Sequence, residues 1–351
     1  MRTAFIEASD FGRWDAFVDG HARGAVYHLS CWKDVLERSF GHIRGRIIAV
    51  WDGDQVVAGL PVYLVKSLVT GRRLVSAPFA LVCDPLITHT TDMDAILEAL
   101  MDLYRSSRCA YFELRAAAPQ PLLPRAGFGC SKLYRTHNLH LDRPPEQLAA
   151  SFHKNAARSL RRALKSGIEL KHGRDKDDLA VFYRMLMDSR KRMGLPTIPR
   201  RYFEALWDVF RPRGQLDLLL AVVDGVPAAG KLLLKQGDTV FFEYGCDVLQ
   251  YRRLRVNHFL EWKAIEQSRE EGYRNYNFGR TSIHNRGLLQ YKRRWGTDES
   301  ELLKFYFPAS YGARDEMLES SRKYGIARKI FQNAPKGLSQ VLGGLFYRFM
   351  G

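Results

Sequence analysis

The chain has 351 residues, 46% of them hydrophobic, 12% aromatic and 26% charged, which excludes a disordered chain and suits two compact units. Its 54 Lys and Arg against 38 Asp and Glu leave a net charge of +16, a balance that favours polyanionic partners: RNA, phosphorylated carriers or an anionic membrane surface. The longest apolar stretch, Val56 to Val65, contains Gly59 and Pro61 and is half a membrane span, so no transmembrane helix is expected.

The N-terminus meets Glu7 and Asp10 early and shows no apolar signal core, so no secretory signal is expected. Five scattered cysteines without a C-x-x-C pair fit the reduced thiols of a cytosolic protein. A helical pattern through Cys31–Leu36 precedes Val50 to Gly59, which reads as strand, Asp52-Gly53 turn, strand, because Gly supplies the positive φ of a tight hairpin. Ala95–Arg105 reads as a helix and Tyr111–Arg115 as a strand ending in Arg. Lys132 to Leu141 reads as a further strand; His137 and His140, three apart, then point to opposite faces, so no metal site is expected. Asp142-Arg-Pro-Pro-Glu146 marks a boundary, since Pro disfavours a helix through it.

Ser151 to Lys165 reads as a helix with Ser151 as its N-cap and Gly167 past its end. Lys154, Arg158, Arg161, Arg162 and Lys165 fall along one of its faces, with no acidic residue in the helix. That stripe is a candidate phosphate site; its bland alternative is a solvated face. The second half then repeats the first. A helix through Leu206–Phe210, an Asp224-Gly225 hairpin, a strand at Thr239–Gly245, a helix at His258–Glu270 and a strand at Tyr276–Arg280 follow in the same order. Gly53 and Gly225 lie 172 positions apart. The expectation is an α+β fold built as a tandem repeat, with units at 1–145 and 151–307 and a basic tail at 308–351.

Four segments carry a family resemblance: Phe152-His-Lys-Asn-Ala-Ala-Arg-Ser-Leu-Arg-Arg-Ala163, Arg190-Lys-Arg-Met-Gly-Leu-Pro-Thr-Ile-Pro199, Tyr276-Asn-Phe-Gly-Arg-Thr281 and Gly287-Leu-Leu-Gln-Tyr-Lys-Arg-Arg-Trp-Gly296. On these the chain resembles FemAB-type proteins, and within them the exosortase/PEP-CTERM-associated FemAB-like subfamily of Gram-negative bacteria. The resemblance implies two tandem GNAT-like domains, each a mainly antiparallel sheet flanked by helices. It also implies an acyl- or aminoacyltransferase acting on an amine of a cell-envelope precursor, of peptidoglycan or exopolysaccharide type. Aminoacyl-tRNA, or less favoured an acyl-CoA, would be a co-substrate, with no tightly bound cofactor.

Aminoacyl transfer needs a neutral amine, a positioned carbonyl and stabilisation of the developing oxyanion. No G-x-S-x-G elbow and no readable Cys–His pair offers a covalent nucleophile, so direct attack in a ternary complex is the economical scheme. Where acetyltransferases hold the CoA pyrophosphate on a Gly-rich turn, Tyr251-Arg-Arg-Leu-Arg-Val-Asn257 has no glycine. That disfavours CoA and offers Arg252, Arg253, Arg255 and Asn257 for phosphates.

By the resemblance, Lys292 contacts the reacting ester or the terminal nucleotide of the donor, and its ammonium would stabilise the oxyanion. Arg280 is the candidate for a substrate carboxylate or phosphate, beside Thr281, with Tyr291 next to Lys292. Relatives usually carry Asp where this chain has Asn277, which cannot act as a base; Glu243 and His284 are substitutes by residue type alone. Lys154, Asn155, Arg158, Arg162 and Asn277 complete the candidate substrate-binding set. The tail from Ser321 to Gly351 lacks acidic residues and mixes Arg322, Lys323, Arg328, Lys329, Lys336 and Arg348 with bulky apolar groups. It suits either packing on the body or peripheral contact with an anionic membrane. The expected place of work is the cytoplasm, at the inner face of the cytoplasmic membrane, on a phosphorylated or lipid-linked precursor, with tRNA as a further partner. The alternatives are a non-catalytic GNAT-like scaffold that grips RNA or an anionic glycan, and a CoA-dependent N-acetyltransferase.

Overall fold

The computed structural model describes residues 1–67, 71–90, 92–117, 120, 122–312, 329–333, 335, 342–344 and 346–347. Strand β1 (Arg2–Phe5) leads to helices α1 (Phe11–Gly20) and α2 (Ser30–Ser39), then strands β2 (Ile43–Asp52), β3 (Gln55–Ser67), β4 (Gly71–Val75) and β5 (Leu86–Ile87). Helix α3 (Asp92–Ser106), strand β6 (Tyr111–Ala116), the single turn α4 (Leu122–Arg125) and strand β7 (Gly129–His140) follow. Next come α5 (Pro145–Ser151), α6 (Lys154–Leu164), β8 (Glu169–His172), α7 (Lys176–Arg192) and α8 (Arg200–Phe210). The last elements are β9 (Leu216–Val223), β10 (Val226–Gln236), β11 (Thr239–Asp247), α9 (Val256–Glu270), β12 (Asn275–Ser282), α10 (Arg286–Arg293) and β13 (Asp298–Phe307).

The chain divides into two units, residues 1–134 with 301–327 and 340–351, and residues 135–300 with 328–339. In the first, the strands run in the order β1-β2-β3-β4-β6-β13, with β5 beside β3. In the second the order is β8-β9-β10-β11-β12-β7. Over the first five strands of each order the pairings agree: β4 with β6 and β11 with β12 are parallel. The hairpin partners before them are antiparallel in both units. Each parallel step needs a long crossover, supplied by α3 in one unit and α9 in the other. The repeat read from the Asp-Gly turns is therefore present strand by strand.

Two details differ from the sequence reading. The expected boundary at 142–146 is displaced, because β7 and β13 each pass from one unit to the other. The strand that pairs with β6 is β13, from the end of the second half, whereas β7 lies beside β12. The hairpins also place their glycines differently. Gly53 (φ 56°) is the first loop residue between paired Asp52 and Gln55, whereas Asp224 (φ 50°) and Gly225 (φ 75°) are both left-handed between paired Val223 and Val226. Two positive φ values in a two-residue loop are the demand of a type I′ turn, which Asp-Gly meets.

Near the boundary, Pro145 opens α5 instead of preventing it, since the first helical position needs no N–H donor. Ser151 closes α5, and the cap of α6 is His153, whose side chain accepts from Asn155 N. The second unit's core gathers Phe152, Ala156 and Leu160 from this region with Phe259, Leu260 and Trp262 of α9, Tyr276 and Phe278 of β12, and Trp295. Large buried side chains of this kind each contribute roughly 1.5–3 kcal/mol by leaving water. The basic tail falls largely outside the described residues, including Arg322, Lys323, Arg328, Lys336 and Arg348. Of the described part, Phe331 and Tyr347 are buried, and Tyr347 packs on Phe79 with ring centres 5.6 Å apart.

Candidate functional site

The second unit concentrates charge where water is absent. Asn285 caps α10 by accepting from Leu288 N, and one turn later Lys292 points inward, only 3% exposed. Its Nζ donates to the carbonyls of Gly279 (2.7 Å) and Arg280 (3.4 Å). Burial is the chief cause that lowers this amine to about 7; Glu261 opposes the shift and Lys231 adds to it. The expectation of a fixed ammonium at Lys292 is thereby refined, since near neutrality the group exists in both forms.

The two carbonyls are presented by a kink in β12. Gly279 has φ 71°, and a Cβ there would stand 2.9 Å from Phe242 O, so only glycine fits without strain. Asn277, expected in the substrate-binding set, holds the kink: its Oδ1 accepts from Gly279 N (2.8 Å) and from the Thr136 hydroxyl (3.1 Å). Thr281 is buried, and its hydroxyl has no hydrogen-bond partner among the described residues. Arg280 and His284 are exposed, and Glu243 is half-buried on β11.

Tyr291 departs from the expectation that it faces substrate, because its hydroxyl donates inward to Glu261 Oε2 at 3.2 Å. The same carboxylate accepts from Lys231 Nζ (2.9 Å) and from the Tyr276 hydroxyl (3.0 Å). A buried carboxylate gathers donors in this way because an unsatisfied charge costs several kcal/mol. The turn after β11 holds the second departure. Arg252 and Asn257, expected to meet phosphates, close on buried Asp247: Arg252 Nε lies 2.6 Å and Asn257 Nδ2 3.0 Å from Oδ2. Arg192 reaches Oδ1 of the same carboxylate at 2.9 Å. Arg253 and Arg255 remain exposed, as do Lys154, Arg158 and Arg162 on α6, where Arg158 donates to half-buried Asn155 (2.9 Å).

Sequence reasoning missed Glu261, Lys231 and His258, and weighed His137 only as a metal ligand. His137 is fully buried, with Nε2 3.0 Å from Glu299 Oε2 and Nδ1 unpartnered among the described residues. Burial, then the Lys292 charge, lowers it to about 4, so it is neutral, with its proton on Nε2 facing the carboxylate. His258 packs between the rings of Tyr291 and Trp295 and is lowered to about 4, mainly by burial. Glu261 lies among buried Phe259, Leu260, Trp262, Ala264 and Ile265 of α9 and Lys231 among buried Ala228, Ala229, Leu232 and Leu233 of β10, and a charge among such apolar neighbours was the available signal. Among the described residues, no group of three or more His, Cys, Asp or Glu could hold a metal ion, the cysteines are free, and no helix is long and apolar enough to cross a membrane.

Residues 150–293 match the acetyltransferase (GNAT) domain family model. The lipid II:glycine glycyltransferase of Staphylococcus saprophyticus is 22% identical, over 82% of this chain and 88% of that protein. The Staphylococcus aureus protein of the same name is 21% identical over the same shares. Among solved structures, FemX superposes with a TM-score of 0.75 at 18% identity, covering 88% of this chain and 97% of that one. A tandem GNAT protein from the clavulanic acid biosynthesis pathway gives 0.57 at 14% identity, covering 87% and 98%. The repeated strand order, the motif that carries Lys292 and these relatives agree: the chain has the tandem GNAT fold and is similar to FemAB-type proteins over most of its length.

Proposed function

We propose that this protein transfers an acyl or aminoacyl group to an amine on a lipid-linked cell-envelope precursor, with aminoacyl-tRNA as donor, working at the inner face of the cytoplasmic membrane. The observation that carries the reading is the buried Lys292, held by two backbone carbonyls and lowered to about 7. Two of the three N–H bonds of its ammonium are used, which leaves one for a reacting atom. In the proposed step the acceptor amine attacks the ester carbonyl, a C–N bond forms and the C–O bond to the leaving oxygen breaks. Protonated Lys292 stabilises the oxyanion and passes its proton to that oxygen, and the amine's proton leaves to water or to neutral Lys292. Arg280 and the unpartnered Thr281 hydroxyl are proposed to orient the substrate. Phosphates fall to exposed Lys154, Arg158, Arg162, Arg253 and Arg255, with Asn155 bracing Arg158.

The test is transfer by the purified full chain from charged tRNA or from acyl-CoA to a lipid-linked precursor, read by mass spectrometry as one added acyl mass. Lys292→Met should lower turnover on the order of 10²–10³-fold with donor affinity retained. Lys292→Arg should restore little, because a planar fork does not replace a compact ammonium. Full turnover in Lys292→Met, or no product with any lipid-linked acceptor, overturns the reading.

A further inference from the structure

The second unit buries three lysines, Lys231, Lys235 and Lys292, and pairs only the first two with carboxylates. Lys231 (4% exposed) has Glu261 at 2.9 Å and lies 3.5 Å over the centre of the Phe242 ring. Its charge is therefore met by an anion and by a π face. Lys292 has two carbonyls and no carboxylate oxygen within 4.0 Å among the described residues. Glu261, itself 2% exposed, is also tied to the residue beside Lys292 through the Tyr291 hydroxyl, and to β12 through Tyr276.

We propose that Lys231 and Glu261 are positioning residues: their ion pair, with the two tyrosines, fixes where Lys292 lies and withholds from it the one buried carboxylate that would keep it charged. This rests on the reading of Lys292 as the acting group. Without Lys231, the charge of Glu261 would be felt by Lys292 alone, which would then stay an ammonium well above neutrality. Without Glu261, Lys292 would lose its one favourable charge and keep the repulsion of Lys231. The remaining groups around Lys292 do not supply this bias. His137 on β7 is neutral, Glu299 on β13 is engaged by Arg293 and His137, His258 on α9 is neutral, and the Tyr276 and Tyr291 phenols stay protonated.

The test is a pH titration of Lys292 by NMR in the substrate-free full chain with isotope-labelled lysine, its signal assigned by its loss in Lys292→Met. Wild type should titrate near 7. Lys231→Met should move the midpoint up, and Glu261→Gln should move it down, each on the order of one unit. Lys231→Arg, which keeps the pair, should leave it in place. Should Lys231→Met fail to fold, the charge-balanced double variant Lys231→Met/Glu261→Gln decides, because its midpoint must lie above that of Glu261→Gln. Shifts of the same sign in both single variants, a double variant that titrates with or below Glu261→Gln, or no movement at all overturns the proposal. The two readings fail separately. Opposite shifts with full turnover in Lys292→Met would keep the positioning network and remove the catalytic role, whereas lost turnover with unmoved titrations would do the reverse.

Discussion

Replacing Lys292 by Met should change stability in a way that depends on pH with a defined sign. The unfolded chain keeps this amine charged up to 10.5, whereas burial in the folded unit lowers it to about 7. One unit corresponds to about 1.4 kcal/mol, so the native protein forgoes about 4 kcal/mol at pH 7 by burying this group and about 2 kcal/mol at pH 9. Met removes that cost but leaves the Gly279 and Arg280 carbonyls without their donor, a pH-independent loss of about 1–3 kcal/mol. The sharp quantity is therefore the change with pH. Between 7 and 10.5 the unfolded wild type binds more protons than the folded form, so its stability rises with pH, and the variant lacks that rise. The stability of Lys292→Met relative to wild type should fall by about 2 kcal/mol between pH 7 and pH 9. Urea unfolding of both proteins at pH 7, 8 and 9, followed by tryptophan fluorescence, measures it. Parallel curves would show that Lys292 titrates in the folded protein as it does in water, and would refute the claim that its burial sets its charge.

Acid should weaken the first unit through His28, which is fully buried, accepts from Ala25 N at Nδ1 and lies 2.9 Å from Asp84 O through Nε2. Burial lowers it from 6.5 to about 4, so stability should be lost as pH falls through that window, by about 3 kcal/mol in all; His28→Gln should flatten this part of the acid-stability curve. Gly279→Ala, at φ 71° with its Cβ against Phe242 O, should cost about 1–3 kcal/mol and raise the mobility of the Lys292 NMR signal; an unchanged melting temperature and signal would count against the kink as its support. Arg158→Ala should weaken tRNA binding in filter assays and lower the salt slope by about one, with turnover at saturating donor retained. Calorimetry should find CoA binding weak beside tRNA binding, and tight CoA binding that persists at high salt would contradict the assignment of phosphates to Arg side chains.

What the sequence by itself determined is whatever depends on neighbours along the chain. Turn chemistry at Asp52-Gly53 and Asp224-Gly225, helical periodicity before and after each hairpin, and the run that carries Lys292 are local, and they sufficed for the repeat, the fold class and the family resemblance. The α6 stripe was legible for the same reason, since one turn of helix sets which side chains share a face. Tertiary structure alone decided which charges are spent inside. Arg252, Asn257 and Arg192 converge on Asp247 from up to 55 positions away, and Lys231, Tyr276 and Tyr291 meet Glu261 across 15 to 30 positions. No spacing rule relates such residues, because a buried carboxylate selects donors by distance in space and by the cost of leaving its charge unmet. The placement of β7 and β13 is of the same kind. Either strand could pair locally by its pattern, and only the complete sheets show that β13 pairs with β6 while β7 lies beside β12. Strand pairing is settled between backbones distant in sequence, where hydrophobic pattern fixes the face but not the partner.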